Sequence, residues 1–281
     1  MILVVAGHLG YSLFDLGGLF PYYSFHVFIF LFVSGYFYRE EAEQQLLRYI
    51  GKKCKALLLP YFIWNLAYGI LAVLLHRTGF SIGGELTLWN LFIEPFVSGH
   101  QFLYQFPAWF VPALFLIEVL NVLGRKVLSF LHLKKEWLIF AVSLLLGIAT
   151  VALAKGGYVW GYYKFPGRLL FMMPGFQLGR IYKEKLENRV NKISDGRYFF
   201  VVVGVQLLTT ICCRGLAFSA VWVTGFANAA VIPYLTVVTG IAFWLRISDW
   251  ISRIPSACSW FMEIGRHTYA IMMHHVFWFF V

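Results

Sequence analysis

Residues 198–213 read YFFVVVGVQLLTTICC, a run of sixteen positions without a charged side chain. A helix needs ~20 mostly apolar residues to cross the ~30 Å hydrocarbon core of a bilayer, and this run with its flanks supplies them. Working outward from it, eight further apolar runs lie at about 1–14, 19–38, 56–75, 108–123, 137–154, 169–182, 229–245 and 264–281. The run at 169–182 holds Pro174 and Gly175, which membrane helices tolerate. The whole chain agrees with this reading. Of its 281 residues 60% are hydrophobic, 20% aromatic and only 13% charged, against about 45–50% apolar and about 25% charged in a soluble domain. These values exclude a soluble enzyme, a nucleic-acid-binding module and a disordered chain. The expected fold is all-α, a polytopic transmembrane helix bundle of about nine spans in one domain over 1–281.

The charges record a topology. Connections after the second, fourth, sixth and eighth runs carry 17 Lys and Arg, and the alternate connections carry 5. Basic residues concentrate in cytoplasmic loops, so the first residue is expected on the cytoplasmic side of a cell membrane. The formal net charge of +10 is then an orientation signal and not a nucleic-acid footprint. Cys54, Cys212, Cys213 and Cys258 form neither a disulfide framework nor a CxxC pattern, and no metal site is expected. Met1 opens directly on ILVVAGHLGY without a basic flank or a cleavage site, unlike a secretory signal peptide. Its ~14 apolar residues give ~21 Å of helix. The first helix is therefore expected to lack its start, and the chain stops at FWFFV inside another apolar run.

Ionisable residues inside spans are costly, and they are candidates for function. His8 lies near the outer end of the first run and His26 about seven residues into the second. The tight connection Asp15-Leu16-Gly17-Gly18 joins these runs as an antiparallel hairpin. Both imidazoles are then expected roughly 9–10 Å below the outer surface on neighbouring helices. Such a pair suits a general base and its partner, or two interior histidines that hold helices together. Glu118, mid-way along the fourth run, could orient a histidine or accept a proton, or serve as a structural partner for a helix-lining Asn or Arg. His274 and His275 point about 100° apart on a helix, so only one of them can face a given site. Trp109 and the aromatic-rich segment 89–110 read as an interfacial belt, with a carbohydrate platform as the sharper alternative. Arg48, Lys52 and Lys53 suit orientation and anionic lipid, or the phosphates of a donor. Arg168 stands on the side poor in charge, where a topogenic role does not account for it.

Six segments, in order, resemble one family. LVVAGH (3–8) resembles the first-helix Gly-His motif of membrane acyltransferase family 3. FHVFIFLFVSGYF (25–37) resembles its second-helix motif, and KKCKALLLPYFIW its basic entry into the third helix. AWFVPALFLIEVL, RLLFMMPGFQLGRIY and IGRHTYAIMMHH resemble three later motifs. The nearest flavour is the fucose 4-O-acetylase-like branch.

The resemblance implies a core of about ten helices, with a final helix and an upstream Arg missing from this chain. It implies transfer of an acyl group, commonly acetyl, from acetyl-CoA to a hydroxyl of a cell-surface or lipid-linked carbohydrate, with no bound cofactor. His8 matches the family's catalytic histidine. His26 and Ser34 match the second-helix motif, Trp109 the fourth, and Arg168 and His275 later positions. The expected machinery is thus His8, His26 and Glu118 as catalytic groups, with Ser34, Trp109, Arg168 and His275 on the substrate. Arg48, Lys52 and Lys53 are expected on the donor phosphates. Attack could be direct or pass through an acyl-histidine. A proton-coupled transporter and an inactive truncated member are the rival readings.

Overall fold

Residues 1–9, 16–79, 84–99, 102–133, 135–158, 161–213 and 231–279 are described by the computed structural model, and among them only helices occur, with no strand. The longer ones are α1 (Ile2–His8), α2 (His26–Tyr36), α3 (Leu46–Arg77), α4 (Phe110–Phe130) and α5 (Glu136–Lys155). They are followed by α6 (Lys164–Ile181), α7 (Asp195–Cys212), α8 (Ile232–Ser252), α9 (Pro255–Arg266) and α10 (Thr268–His274). Four helices among the described residues are long and apolar enough to cross a membrane: Leu46–Arg77, Pro107–Phe130, Glu136–Lys155 and Asp195–Cys212. The other expected spans are shorter or more polar helices packed among these four.

The outer faces show what surrounds the bundle. In α7 only 22% of the most apolar stretch is buried, and Phe200, Leu208 and Ile211 are 81%, 64% and 70% exposed. Side chains so apolar and so open belong in lipid. α6 is the opposite case. Its buried residues include Phe165, Arg168, Phe171, Met172, Phe176, Gln177 and Arg180, and it packs against α2, α4 and α5. Pro174 leaves a gap in its backbone ladder, and nearby the Tyr234 hydroxyl donates to the Phe171 carbonyl at 3.0 Å.

Glycines set the α2–α6 crossing. A Cβ on Gly35 would meet the backbone of Phe176, and one on Gly179 would lie 2.8 Å from Phe32 C and 2.9 Å from Tyr36 N. Gly175 gives the Phe28 ring its room, at 2.8 Å from an added Cβ. Small residues of this kind let membrane helices approach until their backbones touch. Gly179→Ala is therefore expected to lower stability by about 1–3 kcal/mol, as overpacking does in a close-packed interior. Thermal unfolding of the purified protein in one fixed detergent checks this. Gly124→Ala is the control, because an added Cβ there meets nothing within 4 Å.

Three expected spans change shape. The second apolar run begins at 19, yet α2 starts only at His26, after the extended Pro21 (φ −62, ψ 107) and a 3₁₀ turn at Tyr22–Ser24. His26 therefore stands in the first turn of its helix and not two turns into it. The third span starts ten residues early, so Arg48, Lys52 and Lys53 lie on helix and not in a loop. A π turn at Cys54–Leu58 sits just before Pro60, where one N–H is missing and the wider turn takes up the defect. The last run breaks at His267 (φ −95, ψ 8) into α9, α10 and a 3₁₀ turn at Phe277–Phe279. Glu263, which draws in both Arg266 and His267, places a polar cluster at that break. Of the hairpin between the first two runs, Leu16 to Gly18 turn with positive φ, while Asp15 lies outside the described residues.

Candidate active site

His8 closes α1, and its Nδ1 lies 2.6 Å from Nε2 of His275 at the end of α10. The rings stack with centroids 4.9 Å apart and planes 5° from parallel. Two hydrogen bonds decide where the protons sit in the neutral pair. His275 Nδ1 faces the carbonyls of Ile271 at 2.8 Å and Met272 at 3.1 Å. A carbonyl only accepts, so His275 carries its hydrogen on Nδ1 and presents a lone pair at Nε2. His8 Nδ1 must then donate to that lone pair, which leaves His8 Nε2 as the basic nitrogen. A second-partner imidazole thus fixes the tautomer of the first.

The expected partner of His8 was His26 or Glu118, and the structure puts His275 there. His26 is buried and its Nδ1 donates to the Tyr22 carbonyl at 2.7 Å. Its ring meets the Tyr23 ring edge-on at 5.4 Å. Tyr23 in turn donates its hydroxyl to the Gly7 carbonyl at 2.6 Å. His26 therefore supports the tyrosine that holds the residue before His8. Gly7 itself leaves no space for a side chain, since an added Cβ would come within 2.7 Å of the Tyr22 ring. The Gly-His pair is a packing requirement next to a chemical one.

Glu118 is 2% exposed and accepts from Lys53 Nζ at 2.8 Å. Glu118 thus pairs with a lysine that reaches in from α3, and His8 is partnered by His275 instead. Lys53 keeps a place on a cleft of about 450 Å³ at the junction of α2 and α3. Arg39, Arg48, Lys52 and Ser34 line the same cleft. Ser34, assigned to substrate, and the three residues assigned to donor phosphates thus share one surface, and Arg39 joins them.

Trp109 and Arg168 also come together, with the guanidinium 4.3 Å from the indole centroid. Both are about 95% buried. Trp109 is accordingly not part of an interfacial belt and offers no open ring face to a sugar on that side, whereas Trp89 is 50% exposed. The charge of Arg168 is held in the bundle by the π face.

A polar cluster that charge counting assigned to loops closes the other end of α4 and α6. Arg125 is completely buried and binds Glu43 at 3.4 Å, Gln177 at 3.2 Å, and Glu136. Arg180 binds Glu40 and Glu184 at 2.6 Å each and Glu136 at 3.4 Å. Tyr38 lies under both guanidinium groups, at 5.4 Å and 5.1 Å, and donates to Glu43 at 3.0 Å. Burial and the Glu43 carboxylate push the Tyr38 phenol up from its ordinary value, so it stays a donor. The carboxylates of Glu40, Glu136 and Glu184 lie within 4.8 Å of one another, and Arg180 engages all three.

The comparison with known families places this geometry. The profile of acyltransferase 3, an acyltransferase domain, matches residues 1–281. The chain belongs to the acyltransferase 3 family. No curated protein and no solved structure matches it.

Two groupings stand out among the described residues, the stacked histidine pair and the basic cleft at α2–α3. Sequence reasoning placed His8 and His275 among the candidates without pairing them, because they stand 267 positions apart. It missed the Arg125 and Arg180 cluster. The signal was present in Glu40, Glu43 and Glu136, carboxylates at the same ends of the predicted spans as the arginines. His274 is turned away from His275, as the helical angle requires, and meets the Tyr68 hydroxyl at 2.8 Å and the Trp64 ring at 4.2 Å.

Proposed function

We propose that this acyltransferase moves an acetyl group from acetyl-CoA to a carbohydrate hydroxyl at the cell membrane, with His8 as the base. The observation that carries the reading is the His8–His275 hydrogen bond, which leaves Nε2 of His8 as the nitrogen able to take a proton. In the reaction His8 Nε2 removes the hydroxyl proton as the oxygen attacks the thioester carbonyl. The tetrahedral intermediate then breaks its C–S bond, and the proton passes from His8 to the leaving sulfur. The products are the acetate ester and free coenzyme A, and His8 returns to its starting tautomer. His275 positions His8 and holds the positive charge that builds on it, without touching the reacting atoms.

The donor assignment is supported by the cleft that Arg39, Arg48, Lys52 and Lys53 line. The phosphates of coenzyme A are the counter-charges that suit Arg39, Arg48 and Lys52, while Lys53 is already paired with Glu118. The cytoplasmic placement of that cleft follows from the 17-to-5 bias in basic residues, and a plasma-membrane location with the first residue inside accords with it. Arg48→Ala/Lys52→Ala is expected to raise the KM for acetyl-CoA about tenfold or more, since charge-assisted bonds to phosphate are the strong ones, while kcat stays near wild type. Steady-state kinetics with a thiol-reactive reporter checks this.

The reading is tested with purified protein in nanodiscs, acetyl-labelled acetyl-CoA and a panel of soluble saccharides. Label appearing in an alkali-labile ester on a saccharide supports it. Label that stays on coenzyme A, or that moves only to an amine, counts against it.

A further inference from the structure

We propose that the basic end of α7 is a binding site for one anionic phospholipid, with its phosphate on Lys192 and Arg197 and an acyl chain along Val201. A cleft of about 730 Å³ opens there, lined by Lys192, Ile193, Ser194, Arg197, Val201 and the buried pair Tyr198 and Val202. It lies apart from the histidine pair and from the α2–α3 cleft, with which it shares no lining residue.

Two other arginines are already paired within the protein. Arg246 binds Asp195 at 3.2 Å and lies 4.3 Å over the Tyr198 ring, and Arg180 is held by three carboxylates. Lys192 and Arg197 have no side-chain hydrogen bond or ion pair among the described residues. The Ser194 hydroxyl, between them in sequence, makes no capping bond to its own helix. Two cations and a hydroxyl thus face one opening without an internal counter-charge. A phosphodiester supplies the anion and the acceptor oxygens that such a set lacks.

The apolar half of the cleft separates a lipid from a free anion. Val201 is 59% exposed and Ile193 41% exposed. Below Val201 the same helix face continues with Val205 and Leu208, 37% and 64% exposed, at the four- and seven-residue spacing of one stripe. A soluble phosphate ester gains nothing from that stripe, whereas a phospholipid in the bilayer lays a chain on it. Basic pockets beside membrane helices are where anionic headgroups bind.

The test uses the full-length protein, stripped of lipid in detergent, with bound lipid counted by native mass spectrometry. Long-chain phosphatidylglycerol, phosphatidylcholine and inorganic phosphate are titrated in separate arms. The expected result is one tightly held phosphatidylglycerol, phosphatidylcholine at least about tenfold weaker, and no displacement by millimolar phosphate. Lys192→Ala/Arg197→Ala is expected to weaken phosphatidylglycerol binding by roughly tenfold or more, from a loss per basic residue that is modest but additive. Lys135→Ala/Lys185→Ala, which removes the same charge from exposed positions outside the cleft, is expected to change nothing. Val201→Asp puts a carboxylate in the chain's path and is expected to weaken binding too, with thermal stability in lipid-free detergent unchanged for every variant. Equal binding by wild type and Lys192→Ala/Arg197→Ala overturns the site. Competition by inorganic phosphate, or phosphatidylcholine binding as tightly, overturns the lipid assignment.

Discussion

His8→Ala is expected to lower kcat for acetyl transfer by ~10²–10⁴-fold, the usual loss when a positioned acid–base group is removed. The affinity for coenzyme A is expected to stay at the wild-type value, because the basic cleft is built by α2 and α3 and His8 stands at the end of α1. The effect is large because an alcohol is a poor nucleophile near neutral pH, and His8 Nε2 is the nitrogen that the hydrogen bonds leave able to accept its proton. The substitution removes a half-buried side chain at a helix end, so the folded protein survives it. Turnover measured beside equilibrium binding of coenzyme A separates the two quantities. Normal turnover in His8→Ala would remove His8 from the chemistry.

Arg125→Ala is expected to cost stability and not chemistry, by about 3–5 kcal/mol, the range for breaking a buried ion pair by deleting one partner. The reason lies in what remains. Glu43 and Glu136 each lose a guanidinium partner inside the bundle, and Gln177 loses the donor to its Oε1 while keeping Asn121. Those residues come from the α2–α3 connection, α5 and α6, so one guanidinium ties four segments of the bundle. Arg125→Met/Glu43→Gln/Glu136→Gln, which removes the carboxylate charges as well, is expected to recover much of the loss. Thermal midpoints of the three proteins in the same detergent check the order: wild type highest, the triple variant between, the single variant lowest. A single variant as stable as wild type would mean that the cluster contributes nothing to the fold.

How far the fold was legible depends on what an apolar run can encode. The runs at 137–154 and 198–213 became α5 and α7 within a few residues, because each is bounded by charge and has no proline inside. The run at 19–38 misled. Hydrophobicity does not distinguish an α-helix from the extended Pro21 and the 3₁₀ turn after it, so a helix begun at 19 puts His26 two turns inside an element that it in fact opens. Arg125 and Arg180 misled for a different reason. Counting basic residues treats each as exposed, whereas these two are buried against carboxylates that stand far off in sequence. The pairing of His8 with His275 was out of reach because it depends on how the first and last described helices meet. Motifs could nominate both residues, and only the packed bundle joins them.

The central claim is that His275 acts through His8, and a double-mutant cycle on kcat tests it most directly. His8→Ala, His275→Ala and the double variant are assayed for acetyl transfer under saturating acetyl-CoA. If His275 only sets the tautomer of His8, removing it from a protein that already lacks His8 changes nothing, and the double variant turns over like His8→Ala alone. A double variant whose loss equals the product of the two single losses would contradict the account, because the two histidines would then act independently.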